Sequence, residues 1–519
     1  MKKLIITLCC LAAPAVLSAE QWQVLGTRPM GMGGAFVAVA QGPIAQYWNP
    51  AGLVKSSANV SGMELPVGVS AEFTGDIIKN ASQIGDLAAS YSAVQTAQTG
   101  GTAMNAEQVA AFAKTLSLMA DMNEPGKGAL IEVAGGVNFK FSKVALSINN
   151  FTAIGLNPFI DTTNVGLGQI NANASTGIDM GGVSAAAPGN AEQLAAANSL
   201  EASIGTIGFI NLETLICGAG GCLATQTGNA IIDADTLANA FVNQSVTAGL
   251  TNAQITEAAN TMVEYADELA PIITGASSGA DYTNNQSNLT VAGASFVEIA
   301  AGYAWNMDKW MHGLSLGANL KLVNGRTAVT TFRFLSESET GDAFKLEDTK
   351  SSWKPAADLG LLWDVKQTYA KAPFSPKVGL VMRNINSPSF DTPAGGDYDL
   401  DRQVRLGFAL NPAKFWTLAL DMDLTKNSTP VDGFDSRQLA MGTEINIFNR
   451  KSFNIPLRAG LIKNMAEKDS KMAYTLGTGL NLMFMHFDVS GVVSSEKTTM
   501  DNSDIPTKVG VAASFGLLF

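Results

Sequence analysis

Residues 508–519 read KVGVAASFGLLF, and this stretch decides the fold. Val509, Val511, Ala513, Phe515, Leu517 and Phe519 fall on one side of an extended chain, and Lys508, Gly510, Ala512, Ser514 and Gly516 on the other. A β-strand turns successive side chains to opposite faces, so one face here is wholly apolar and the other small or polar.

The same alternation recurs upstream. In WTLALDMDL, Trp416, Leu418, Leu420, Met422 and Leu424 alternate with Thr417, Ala419, Asp421 and Asp423. In QLAMGTEINI, Leu439, Met441, Ile445 and Ile447 alternate with Gln438, Gly442, Glu444 and Asn446, and in MFMHFDVS, Met485, Phe487 and Val489 alternate with His486, Asp488 and Ser490. A soluble sandwich also alternates, with its apolar face against a second sheet. Strand lengths near those of a tilted membrane strand, about 10 residues, favour a barrel. So do aromatics at strand ends: Tyr303, Trp305, Trp310, Trp363, Phe415 and Trp416. The expected fold is all-β and transmembrane, an antiparallel outer-membrane barrel of about 14 strands. They are expected near 59–73, 129–140, 143–152, 294–305, 313–323, 355–366, 376–384, 402–410, 414–425, 437–447, 454–463, 472–482, 484–494 and 508–519. Short turns such as SK, NMDKWMH, NPAK and FNRKSFN are placed on the periplasmic side with both termini, and the longer connections outside.

Composition agrees. Only 15% of the 519 residues are charged, Gly numbers 51 and mean hydropathy is +0.15, yet nothing beyond the first residues is apolar enough for a spanning helix. Residues 1–19, MKKLIITLCCLAAPAVLSA, have the form of a secretory signal: Lys2 and Lys3, an apolar run from Leu4 to Val16, and small residues before Glu20. That run is too short for a membrane helix, which takes roughly 20 residues. A lipoprotein cut before Cys9 or Cys10 fits less well, because neither follows a small residue. The expected location is the outer membrane of a Gram-negative bacterium. Net charge is −12, or −14 without Lys2 and Lys3, which argues against nucleic acid as a partner. Cys217 and Cys222, in CGAGGC, are expected to form a local disulfide in an exported chain; a zinc site would need further ligands that the neighbouring sequence lacks. No metal and no cofactor are expected.

Two connections, 74–128 and 153–293, are too long for simple loops. Both contain helical periodicity. In NAEQVAAFAKTLSLMA, Asn105 can cap, and Val109, Phe112, Ala113, Leu116 and Met119 share a face. In TNAQITEAANTMVEYADELAP, Thr251 or Asn252 can cap a stripe of Ile255, Ala258, Ala259, Met262, Val263, Ala266 and Leu269. The rest of 164–250, rich in Ala, Gly and Asn, is weakly patterned. The stripes suit helices packing on one another or on the barrel mouth, or else a greasy outer groove for an apolar ligand.

Residues 20–57 precede the first strand on the periplasmic side, placed to fold inward as a plug before the barrel of 58–519. Gly31, Gly33, Gly34 and Gly42 permit tight turns, Pro43 and Pro50 fix others, and Asn49 can bond nearby backbone. The wording GTRPMGMGGAFVAVAQGPIAQYWNPAGL, with Gly31, Met32, Gly33, Gly34, Ala35, Phe36 and the Asn49-Pro50-Ala51 motif, resembles the N-terminal hatch of the FadL-type long-chain fatty acid transporter superfamily, closest to its TraF-like branch. A last strand ending on Phe519 likewise resembles the closing strand of bacterial outer-membrane proteins. The resemblance implies a plugged barrel passing a hydrophobic or amphipathic small molecule. The loop of 153–293 is far longer than in the fatty acid transporters, and it motivates a second expectation: a conjugation, secretion or surface-assembly barrel holding a protein partner through that loop.

By the alternation, Glu132, Lys321, Asp358, Asp364, Lys377, Arg383, Arg405, Asp421, Asp423, Glu444, Arg458, His486 and Asp488 face the lumen, since charge facing lipid is costly. Arg405 is expected to pair with Asp421 or Asp423. Enzymatic alternatives are weaker. GMGGAF lacks a preceding strand and the third glycine of a dinucleotide loop. GASSG around Ser277 follows a helix, unlike a nucleophile elbow, and a His486–Asp488 dyad competes with a plain polar lining. No catalytic residue is assigned.

Overall fold

The computed structural model describes residues 21–54, 61–80, 106–162, 178–179, 183–217, 222–223, 230–277, 286–333, 349–393, 395–450, 452–468, 470–500 and 503–518. The signal sequence, Asn105, Phe519 and the side chains of Cys217 and Cys222 lie outside these residues.

Fourteen strands form a closed barrel: β1 (Ser61–Thr74), β2 (Gly128–Phe141), β3 (Val144–Phe159), β4 (Asn288–Asn306), β5 (Leu314–Arg333), β6 (Lys350–Asp364), β7 (Lys377–Arg383), β8 (Gln403–Ala413), β9 (Trp416–Asp423), β10 (Gln438–Arg450), β11 (Phe453–Asn464), β12 (Ala473–Leu482), β13 (Met485–Ser494) and β14 (Lys508–Leu518). Each pairs antiparallel with the next, and β14 closes on β1 from Gly62↔Leu518 to Glu72↔Lys508. All fourteen expected strands are present. Along β9, Trp416, Leu418, Leu420 and Met422 point outward while Thr417, Ala419, Asp421 and Asp423 are buried inside. Closure leaves no free edge, and every ladder hydrogen bond is made within the wall, as a hydrocarbon surround demands. No helix among the described residues is long and apolar enough to cross a membrane; the crossing is left to strands.

β4 and β5 run to 19 and 20 residues, well past the expected 294–305 and 313–323. Their extra rungs of ladder, such as Thr327 to Arg333, mix polar and apolar residues on both faces, so the apolar alternation that marks a membrane strand stops before the pairing does.

The N-terminal segment lies inside this barrel. It contains two short helices, α1 (Thr27–Gly31) and α2 (Ala45–Trp48), and a 3₁₀ turn at Pro50–Val54. Trp22, Leu25, Met32, Phe36 and Trp48 are fully buried, packed with strand residues such as Ala145, Phe151, Ala409 and Ala419. Two connections on the long-loop side also turn inward. The hairpin of Ser389–Asp391 and Asp397–Asp399 sets Phe390 and Tyr398 against Phe296, at 5.2 and 5.5 Å between ring centres. The hairpin of Asn427–Ser428 and Asp435–Ser436 sets Val431 and Phe434 against Leu130 of β2 and Ala153 of β3.

The large insertions build a helical bundle: α3 (Ala106–Asp121), α4 (Ala191–Ile207), α5 (Phe209–Cys217), α6 (Ala234–Thr247) and α7 (Asn252–Ser277). Both expected helices are there. The weakly patterned stretch holds α4, α5 and α6 as well. Alanines on both faces blur its period, but Asn190 accepts from Glu192 N, and Asp233 and Thr236 form a capping box. The Thr236 hydroxyl and amide hold the Asp233 carboxyl below its usual range. The apolar stripes pack on one another: Val109, Leu116, Ile255, Met262 and Leu269 share one buried core with Leu200, Ile204 and Phe241. That packing, and not an outer groove, is what the stripes serve. Val263 is an exception, half exposed at the edge of its stripe.

Candidate functional site

The contact between residues 21–54 and the barrel wall is the candidate site. Arg28 is the only charged residue in this segment, so almost everything that holds it is backbone, amide or aromatic. Its contacts reach most of the way around the wall. Thr27 donates from N and Oγ1 to Ser514 Oγ of β14, at 3.3 and 3.1 Å. Gly31 O accepts from Thr475 Oγ1 of β12 at 3.1 Å. Arg28 makes a two-pronged pair with Glu444 of β10, at 2.8 and 3.0 Å. Phe36 N and Val37 N both donate to Asp421 Oδ2 of β9 at 2.7 Å. On the far side, Gln46 O accepts from Asn319 Nδ2 of β5 at 2.8 Å.

The Asn49-Pro50-Ala51 motif forms the opposite anchor. Asn49 Oδ1 accepts from Ala51 N, while its Nδ2 donates to Val37 O and to Leu361 O of β6, at 3.1 and 3.0 Å. One amide thus fixes its own turn, ties the segment's two halves together and docks it to the wall. Gly33 adopts φ +68°, where an L side chain is strained, and a Cβ there would also lie 2.6 Å from Leu461 O.

Glycines on the wall make this fit possible. Gly317, Gly360, Gly379, Gly407, Gly442, Gly460 and Gly477 stand on β5, β6, β7, β8, β10, β11 and β12, and Ala419 fills the place on β9. Each faces the segment: a Cβ on Gly379 would lie 2.8 Å from Val37 O, and one on Gly477 3.1 Å from Gly31 Cα. This belt was not read from the sequence, where glycines at strand positions simply alternate with apolar residues. The signal was present in their recurrence on consecutive strands.

The segment's aromatic residues cluster. Trp22 stacks on Trp48 at 6.0 Å and Tyr47 on Phe151 of β3 at 4.9 Å, while Phe36 meets Trp48 edge-on. Two buried guanidinium groups cover this cluster, Arg383 at 4.0 Å from the Tyr47 ring centre and Arg405 at 4.5 Å from that of Trp22. Cations over ring faces gain most where water is excluded.

The lumen-facing charges are brought into two networks. One joins Lys321 to Asp358 and Glu298, at 2.9 and 3.2 Å, and Arg383 to Glu298 at 3.2 Å; Arg405 pairs beside it with Asp423 at 2.5 Å. The other runs from Arg28 through Glu444 to Arg458 and Asp488, with Arg458 at 2.8 and 3.0 Å from its two carboxylates. Of the two carboxylates considered for Arg405, Asp423 takes it, and Asp421 serves the segment's amides instead. Glu132 accepts from Ser70 Oγ, and Asp364 lies opposite Lys377 at the end of the β6–β7 ladder. His486 and Asp488 are both buried on the inner face, but Asp488 is taken by Arg458 and no bond joins the two, so the dyad is not formed. Ser277 is the last residue of α7, not a strand-to-helix elbow. Glu64 and Glu298 were missed, although both lie on inward positions of their strands.

The sequence matches the family model described as "F plasmid transfer operon, TraF, protein" over residues 46–423. The chain belongs to this family. The match runs from the end of the inner segment through β9, and it is the TraF-like branch to which the hatch wording pointed. Among solved structures, the chain is similar to the Pseudomonas putida toluene transporter TodX, with 10% identity, coverage of 97% of this chain and 99% of that one, and a TM-score of 0.41. It is similar to the Ralstonia pickettii toluene transporter TbuX, with 12% identity, 95% and 98% coverage and a TM-score of 0.40. A Pseudomonas aeruginosa FadL homologue gives 8% identity, 96% and 98% coverage and a TM-score of 0.37. No curated protein matches the sequence significantly.

Proposed function

We propose that this TraF-family barrel is an outer-membrane channel for a hydrophobic or amphipathic small molecule, of the long-chain fatty acid kind, and that residues 21–54 are its gate. The observation carrying this reading is how the segment is held. It fills the barrel, yet none of its residues pairs into the sheet. Side-chain-to-backbone hydrogen bonds and one partly solvent-accessible ion pair fasten it, and these can break and re-form without opening the wall. Displacing it would bare Trp22, Phe36, Tyr47 and Trp48, a surface suited to apolar cargo. No covalent step is involved. In liposomes, the Arg28→Ala/Asp421→Ala double variant should raise leakage of small solutes and uptake of a fluorescent fatty acid several-fold over wild type. Unchanged permeability for both, in protein that still shows a folded barrel on unheated gels, would reject the gate.

A second reading is favoured by the family and by one further feature. Residues 163–287 carry 11 carboxylates and no Lys, Arg or His. A bundle so charged suits a basic protein partner in conjugation or secretion. A tagged chain should then retain a stoichiometric partner from outer membranes and lose it when residues 183–277 are removed; recovery of no partner counts against this reading.

A further inference from the structure

The two ends of the barrel carry opposite charge. Connections on the long-loop side hold 33 acidic and 10 basic residues. The six short turns, 142–143, 307–313, 365–376, 414–415, 451–452 and 483–484, hold six lysines and a single acid, Asp308. A chain of net charge −12 thus has a basic rim at one end. Lys143, Lys309, Lys366, Lys371, Lys414 and Arg450 are all exposed there, and none of them is in an ion pair among the described residues. Asp308 does not serve them. Its carboxylate accepts from Asn306 Nδ2 at 2.6 Å and from Gly313 N at 2.9 Å, within its own turn.

The same turns expose large apolar side chains. Trp310 is 82% exposed, Met483 74% and Phe448 and Tyr369 61%, and Phe374 and Phe484 are more than half exposed. Single exposed apolar residues are ordinary; these are interleaved with the cations. Lys309 precedes Trp310, Lys414 precedes Phe415, Lys371 and Phe374 share a turn, and Phe448 and Arg450 flank another. Depth decides what such a surface meets. The aromatic belt of Tyr303, Trp305, Trp363 and Trp416 marks the edge of the hydrocarbon at this end. A strand advances about 3.4 Å per residue, and the headgroup layer beyond the hydrocarbon is about 5–7 Å deep. Four of the six turns are two residues long, so their side chains stay inside that layer.

We propose that this rim binds anionic phospholipid headgroups of the leaflet on the short-turn side. The lysines and Arg450 take the phosphates, and the exposed rings lie at the boundary between headgroups and acyl chains. A negatively charged membrane surface attracts each nearby Lys or Arg, and aromatic side chains favour that boundary. The inference rests neither on transport nor on a protein partner.

The full-length chain, folded into phosphatidylcholine bilayers, can be given increasing amounts of phosphatidylglycerol with brominated acyl chains, which quench tryptophan. Four of the seven tryptophans, Trp305, Trp310, Trp363 and Trp416, stand at this end, so the quenching reports it. At low salt, brominated phosphatidylglycerol should be preferred several-fold over brominated phosphatidylcholine, and salt near 0.5 M (roughly a 4 Å screening length) should remove most of the preference. The fourfold variant Lys309→Gln/Lys366→Gln/Lys371→Gln/Lys414→Gln should abolish it in protein that runs as a folded barrel on unheated gels. If that variant does not fold, Lys309→Gln/Lys414→Gln should show a partial loss. Lys468→Gln/Lys471→Gln/Lys497→Gln, on the long-loop side, should leave the preference unchanged. Equal quenching by the two lipids, a preference that survives the rim substitutions, or one lost in the long-loop variant would each overturn the proposal. So would an acidic protein retained from outer membranes by the wild-type rim, and lost in the fourfold variant, where no lipid preference is seen; the face would then belong to a protein.

Discussion

Asp421 and Asp423 stand two residues apart on one face of β9 and have different partners. Asp421 accepts the amides of Phe36 and Val37, and Asp423 takes Arg405 and the amide of Gln438. Asp421→Asn keeps the shape but replaces one carboxyl oxygen by an amide that only donates, and should cost about 1–3 kcal/mol. Asp423→Asn leaves the 1%-exposed Arg405 without its counter-ion and should cost more, about 3–5 kcal/mol. Denaturant unfolding in detergent checks the order; a milder effect at Asp423 would contradict the pairing. Leu420→Arg and Phe487→Arg put charge on the lipid face and should each destabilise bilayer insertion by roughly 2–4 kcal/mol. Ala419 looks inward, but it is 4% exposed against the inner segment, so Ala419→Arg has no wet lumen to enter. It should spare the wall and expel the segment, seen as faster proteolysis of residues 21–54.

Elements differ in how far they show in the sequence. Strands show well, because lipid on one side and a polar interior on the other impose a strict period of two; Trp416 to Asp423 could hardly be read otherwise. α3 and α7 show through Val109, Leu116, Ile255 and Met262. α4 to α6 do not, because alanine is compatible with either face of a helix. The two inturned hairpins were illegible for another reason. Phe390, Tyr398, Val431 and Phe434 are isolated apolar residues among Asp, Gly, Ser and Pro, and only their distant partners explain them. The bundle's independence follows from its ends: Asp161 and Ser287 are joined by a 2.8 Å bond from Asp161 N to Ser287 Oγ. Replacing residues 163–285 by a short Gly-Ser bridge should therefore leave a barrel that migrates as folded on unheated gels. Loss of that migration would show that the bundle is needed to close the wall.

At the scale of the whole molecule, the barrel was legible in the sequence, while the manner in which residues 21–54 fit against its wall was not. The anchors Asn49 and Gly33 stood out as motif residues, but Glu64, Glu298 and the wall glycines gain meaning only once strands far apart in sequence lie side by side. Gly442→Val or Gly460→Val should force the segment off the wall, an overpacking cost of about 1–3 kcal/mol, and raise solute leakage in liposomes. The belt also bears on how the molecule is made. Seven of eight consecutive strands present bare peptide where side chains would otherwise stiffen and space them, so an empty cylinder would be soft along that line. A bulky aromatic insert could hardly be threaded into it after the β1–β14 seam had zipped. The inner chain is therefore better seen as the former around which the staves are bent: wall and filling take shape in one event, with the filling in place before the wall closes around it.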